Sequence, residues 1–201
     1  MAKRVLDLIL SLGALALLWP LLVFLAVWVK LDSPGPVFYR GQRVGRDGQP
    51  FLMYKFRTMV VGAEREGPAV TYKDDPRITT AGRFLRRTKL DELPQFFNVV
   101  KGEMSLVGPR PEDPKYVALY TAEQRQVLSV RPGITGPTQL LYRDEASMLQ
   151  GESVDEEYVS RIMPQKLKLD LEYVRHRSLM GDLRVLWRTA ATLLFKDGNA
   201  T

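Results

Sequence analysis

The sequence predicts an α+β fold in which a mostly helical domain carries one β-hairpin and follows an apolar N-terminal membrane helix. Three observations predict it. Leu8 to Val29 is a run of 22 residues without a charge, which meets the length needed to cross a hydrocarbon core. An Asp-Gly pair, Asp47-Gly48, stands between two strand-like runs. Apolar residues recur at helical spacing through much of the remainder.

The apolar run is bracketed by Lys3, Arg4 and Asp7 before it and Lys30 after it. A secretory signal is disfavoured, because no small-residue cleavage site follows and the run is long for a signal core. Pro20 removes a helical hydrogen bond and crowds the preceding turn, so a kink is expected near Trp19 and Pro20. Cations at both ends place both ends on the cytoplasmic side. The residues by themselves leave a re-entrant helix and a kinked span equally open.

Asp32-Ser33-Pro34-Gly35-Pro36 then reads as a stop-and-turn cluster. Val37-Phe38-Tyr39 and Phe51 to Phe56 are the hairpin strands, turning through Arg46-Asp47-Gly48-Gln49. Lys55 and Arg57, two residues apart, should share a strand face, where two cations can grip a phosphate. A basic cluster follows at Arg83, Arg86, Arg87 and Lys89. It runs into Leu90-Asp91-Glu92-Leu93-Pro94, where Asp91 is expected to cap a helix whose apolar residues are Leu93, Phe96, Phe97 and Val100 and which ends near Gly102. An arginine held between prolines, Pro109-Arg110-Pro111, comes next. Glu152, Asp155, Glu156 and Glu157 read as a solvated acidic turn. Leu183, Leu186, Trp187, Ala190 and Leu194 form one stripe of a last helix, with Arg184 and Arg188 off it. Such a helix suits an anionic membrane surface or ordinary core packing.

Composition narrows the chemistry. The 201 residues contain no cysteine, which removes thiol nucleophiles, disulfides and thiolate metal sites, and the one histidine, His176, leaves little room for a histidine-based metal site or a Ser/His/Asp triad. The net charge is +6, and residues 31 to 90, with 12 Lys and Arg against 6 Asp and Glu, hold all of it. The excess therefore ends at Asp91. A carboxylate at a helix start beneath a cationic cluster is kept ionised and near phosphate. With the phosphate charge neutralised, it can attack phosphorus and form an acyl phosphate. The plainer reading is a capped helix start, and the rigid Arg110 favours the chemical one.

The motifs Lys55-Phe56-Arg57-Thr58-Met59, Leu90 to Gln95, Lys101 to Pro111 and Arg131-Pro132-Gly133-Ile134-Thr135-Gly136 resemble those of the bacterial sugar transferases, more narrowly the small monotopic polyprenol-phosphate phosphoglycosyl transferases. The likeness runs from about Ser33 to Thr189. It implies a re-entrant membrane anchor over 1–31 with its break at Pro20, and a cytoplasmic catalytic domain over 32–201 on the bacterial inner membrane. It implies transfer of a sugar-1-phosphate from a UDP-sugar to undecaprenyl phosphate, with UMP released, as a first step of surface glycan synthesis. By matching position Asp91 and Glu92 form the catalytic dyad and bind Mg²⁺, and Lys55, Arg57 and Arg110 contact substrate phosphate; Arg87 of the basic cluster is a further expected phosphate contact. Membrane lipid is a further partner, nucleic acid is not, and a homo-oligomer is compatible with this reading. Two positions depart from the usual pattern: Trp19 stands where a serine often precedes the proline, and Lys89 where a serine often precedes the dyad. The alternatives are direct attack by the lipid phosphate, and, in another class, a membrane-anchored basic module binding nucleic acid or lipid.

Overall fold

The computed structural model describes residues 1–68, 70–149 and 153–194. Glu152, the Leu194 side chain and residues 195–201 of the expected domain lie outside the described residues. The described chain is mostly helical with two small sheets, as the sequence predicts.

Helix α1 spans Ala2–Asp32. It does not break at Pro20: proline withholds one hydrogen bond, the one that would reach the Ala16 carbonyl, and the helical backbone continues on both sides. Both ends are fastened to the same domain. At the first end Lys3 Nζ donates to the Val107 carbonyl (3.0 Å) and pairs with Asp182 (2.6 Å). Arg4 donates to the carbonyls of Val99 (2.6 Å) and Val100 (3.1 Å), and Asp7 accepts from Ser105 Oγ and the Leu106 N–H. At the other end Leu25 and Val29 pack with Phe56 and Leu85. Between these ends Leu12, Leu17, Trp19, Val23, Phe24 and Val27 remain exposed.

Strands β1 (Phe38–Val44) and β2 (Pro50–Phe56) pair antiparallel, Phe38 opposite Phe56 and Val44 opposite Pro50. Asp47 (φ 57°) and Gly48 (φ 76°) adopt the left-handed conformations that an Asp-Gly hairpin turn demands. Helix α2 (Thr80–Thr88) starts on the Thr79 side chain, which accepts from the Gly82 N–H at 3.0 Å. It lies directly on the chain after β2, since a side chain at Gly82 would come 2.1 Å from the Thr58 carbonyl oxygen.

Helix α3 is Gln95–Lys101 and closes at Gly102 (φ 90°). Its buried residues are Gln95, Asn98 and Val99; of the expected stripe Leu93 and Phe96 pack against the core, while Phe97 faces out. Strands β3 (Ser105–Val107) and β4 (Gly133–Thr135) pair in parallel. Three residues each are too few for an alternating pattern, which is why only the hairpin was predicted. Their contact needs glycine, because a Cβ on Gly133 would sit 2.1 Å from the Gly108 nitrogen.

Short helices α4 (Pro114–Val117), α5 (Pro137–Leu141) and α6 (Val154–Glu157) follow, the last passing through a π-helical turn at Tyr158–Ile162 into α7 (Met163–His176). The largest core, including Tyr116, Tyr120, Leu149, Tyr158, Ile162 and Leu167, lies among them. The acidic stretch forms the helix α6 and not a turn; Glu156 is exposed as expected, whereas Asp155 pairs with Lys115 at 2.8 Å and accepts from the Tyr116 hydroxyl. Helix α8 (Leu179–Leu194) splits its apolar residues, with Val185 and Leu186 against the core and Met180, Leu183, Trp187 and Leu193 exposed.

Candidate active site

A cleft of about 1880 Å³ opens between the hairpin, α2, the dyad and the α5 to α7 region. Asp91 and Glu92 lie on its wall, but not in the first turn of α3. They occupy a separate 3₁₀ turn, Leu90–Glu92, and Asp91 caps nothing. Two residues enforce this. Lys89, left-handed at φ 60°, ends α2 with its N–H on the Arg86 carbonyl (3.2 Å). Pro94 has no N–H to give to an Asp91 cap, and α3 begins after it. A left-handed backbone costs a residue other than glycine on the order of 1 kcal/mol.

Glu92 is clamped by two cations. Its Oε1 accepts from Lys55 Nζ at 2.8 Å and from Arg110 at 3.1 Å. Burial alone would push Glu92 up, but Lys55 and Arg110 outweigh it and hold the carboxyl well below the usual range. Arg110 is raised in turn, chiefly by the Glu92 charge. Asp91 is different: its Oδ1 is buried without a hydrogen-bond partner. Burial pushes the Asp91 carboxyl up, opposed first by Lys55, assisted by the Glu92 charge, and opposed again by Arg86 and Lys89. Adjacent carboxylates are thus driven apart, one firmly ionised and acting as a cation holder, the other an unpartnered oxygen.

Asn98 places Lys55. Its side-chain amide donates to the Leu52 carbonyl (2.7 Å) and accepts from the Tyr54 N–H (2.9 Å), gripping the free edge of β2 as a neighbouring strand would. Lys55, the next residue along, is held against Glu92. A polar residue within an apolar helical pattern gave no sign of this role.

Of the four expected phosphate contacts, the structure brings Lys55 and Arg110 to the dyad. Arg57 goes elsewhere: it is 5% exposed and donates to the carbonyls of Pro36 (2.6 Å), Ser33 (2.8 Å), Val29 (3.4 Å) and Met59 (3.5 Å) and to Ser33 Oγ (2.6 Å). These bonds use its five N–H groups, leaving none for a phosphate. Arg57 thus fixes the end of α1. Arg87 is exposed on the cleft rim with its guanidinium over the Phe84 ring, 5.9 Å from the centroid. Arg86, not Arg87, is the inward residue of α2. Its guanidinium donates to Thr58 Oγ1 (2.8 Å) and Thr71 Oγ1 (2.7 Å), and it faces the Asp91 charge. Residue 86 is one turn beyond the close-packed Gly82 and so shares its face, a packing visible only in the structure.

Among the described residues no three or more His, Asp or Glu side chains gather as a metal-binding group. Mg²⁺ is nonetheless commonly held by one or two carboxylates together with substrate phosphates, and the orphaned Asp91 Oδ1 is an acceptor a cation would satisfy. The dyad fits that ion.

A family model described as bacterial sugar transferase matches residues 1–196. The UDP-glucose:undecaprenyl-phosphate glucose-1-phosphate transferase of Xanthomonas campestris pv. campestris is 42% identical, over 96% of this chain and 39% of that protein. A protein of Aeromonas hydrophila named UDP-N-acetylgalactosamine-undecaprenyl-phosphate N-acetylgalactosaminephosphotransferase is 38% identical, over 96% of this chain and 43% of its own length. The glucose-1-phosphate transferase of Caulobacter vibrioides is 38% identical, over 97% and 70%. The chain therefore spans about two fifths of the first two relatives.

Proposed function

Since the chain belongs to the bacterial sugar transferase family, we propose that it transfers a sugar-1-phosphate from a UDP-sugar to undecaprenyl phosphate and releases UMP, through a covalent intermediate on Asp91. One observation carries the covalent step: a buried carboxylate oxygen without a donor, beside a glutamate that holds two cations in place.

An Asp91 oxygen attacks the phosphorus that bears the sugar. The bond from that phosphorus to the bridging oxygen breaks, and UMP departs with the electron pair. An oxygen of the lipid phosphate then attacks the same phosphorus and the Asp91 carboxylate is restored, leaving a lipid diphosphate sugar. Lys55 and Arg110, steered by Glu92, receive the phosphoryl oxygens as charge shifts onto them. Mg²⁺ held by Asp91 and Glu92 would neutralise phosphate charge that otherwise repels the attacking carboxylate.

Asp91→Asn should lower transfer by about a thousandfold or more, the scale lost when a nucleophile is removed. Incubation with sugar-labelled UDP-sugar and Mg²⁺, without lipid acceptor, should label the wild-type chain and not the variant. A competent protein that takes no label and shows ternary-complex kinetics would establish direct attack by the lipid phosphate instead.

A further inference from the structure

Lys89 is placed at odds with its own backbone. It ends α2 at φ 60°, a position where glycine is the unstrained choice. A side chain kept at such a place is commonly one that the neighbouring site uses. Here the ammonium lines the cleft and donates to the Arg143 carbonyl at 3.1 Å. That carbonyl is uncharged, whereas Lys55 and Arg110 are both committed to Glu92. Among the described residues Lys89 is paired with no carboxylate. Two of its three N–H donors remain for a ligand, two residues before Asp91.

Resting on the function proposed above, we infer that Lys89 is a substrate-binding residue, which donates to an oxygen of the nucleotide-sugar diphosphate while its bond to Arg143 carries the 137–149 segment with it. The Arg143 guanidinium itself donates to the Thr192 carbonyl in α8 at 2.8 Å. A bound diphosphate is thereby connected through Lys89 and Arg143 to the last described helix.

Three substitutions separate charge from scaffolding. Lys89→Arg keeps the cation, Lys89→Gln keeps a donor for the Arg143 carbonyl without the charge, and Lys89→Gly relieves the backbone. UDP is titrated calorimetrically into the full chain in detergent with MgCl₂. Lys89→Arg should bind within about threefold of wild type, and both Lys89→Gln and Lys89→Gly about tenfold more weakly, the loss of one charge-assisted contact. Thermal melting should show Lys89→Gly at least as stable as wild type, which excludes misfolding as the cause. Wild-type affinity in Lys89→Gln or Lys89→Gly, or no binding of UDP to the wild type, would overturn the inference. UDP affinity needs no turnover, so failure of UMP release in a transfer assay would count against the proposed reaction alone.

Discussion

Lys55 sets how strongly the buried Asp91 resists ionisation, for it is the first of the charges that oppose burial there. The Asp91 carboxyl is nevertheless raised above its ordinary 3.8. A nucleophile must be ionised, so the acid limb of transfer should lie above the usual aspartate range and activity should fall as pH drops through it. Lys55→Met removes the main opposition to burial, and the limb should move to still higher pH while the rate falls. A pH profile of UMP release checks this, and a limb at the same pH would refute it. At this scale the sequence was legible where charge and chemistry coincide: Asp91, Glu92, Lys55 and the proline-held Arg110 all meet at one point. It was not legible for Arg57 and Arg87, because a motif fixes which cations are present and not what each guanidinium touches. Carbonyls left free by the end of α1 and the turn after it claimed the first, and the register of α2 turned the second outward.

The elements explain that reassignment. Four backbone carbonyls and a serine hydroxyl converge on Arg57, and no other side chain has five donors in a fixed fork. Arg57→Ala should leave several of them unsatisfied and destabilise the junction by on the order of 3 kcal/mol. Arg57→Lys, a point charge, should restore only part. Trypsin cleavage at Lys30, an exposed residue near this junction, should accelerate in both variants, and an unchanged rate would refute the role. The hairpin was readable because Asp-Gly specifies its own turn. The dyad turn was misread as a helix start because Asp91 is a good cap by type, and what prevents it from capping is the left-handed Lys89 on one side and Pro94 on the other. The β3 and β4 pair joins two motifs that sequence could list but not bring together.

For the whole molecule, the decisive fact is that both ends of α1 pack against the same domain. A straight span would carry its ends to opposite faces of a bilayer, whereas here Lys3, Arg4 and Asp7 grip one part of the domain and Arg57 grips the other end of the helix. The expectation that follows is that the exposed apolar side of α1, with Met180, Leu183 and Trp187 of α8, lies in one leaflet with both helix ends on the same side of the membrane. Because the chain has no cysteine, single substitutions report topology cleanly. Ala2→Cys in sealed vesicles should react with an impermeant maleimide from the same side as Gln49→Cys in the hairpin turn, and labelling from opposite sides would mean a span. Charge at both ends of the apolar run hinted at this placement, but the contacts at the first end join residues about a hundred or more positions apart and those of Arg57 at the other end join residues 21 to 28 apart, so neither leaves a local pattern. A span must match the thickness of its bilayer and tilts or deforms it when it does not. An anchor tied down at both ends has no such length to match. If the maleimide labels both sites from one side, the height of Asp91 above the lipid is a dimension of the protein, the same in a thin membrane as in a thick one.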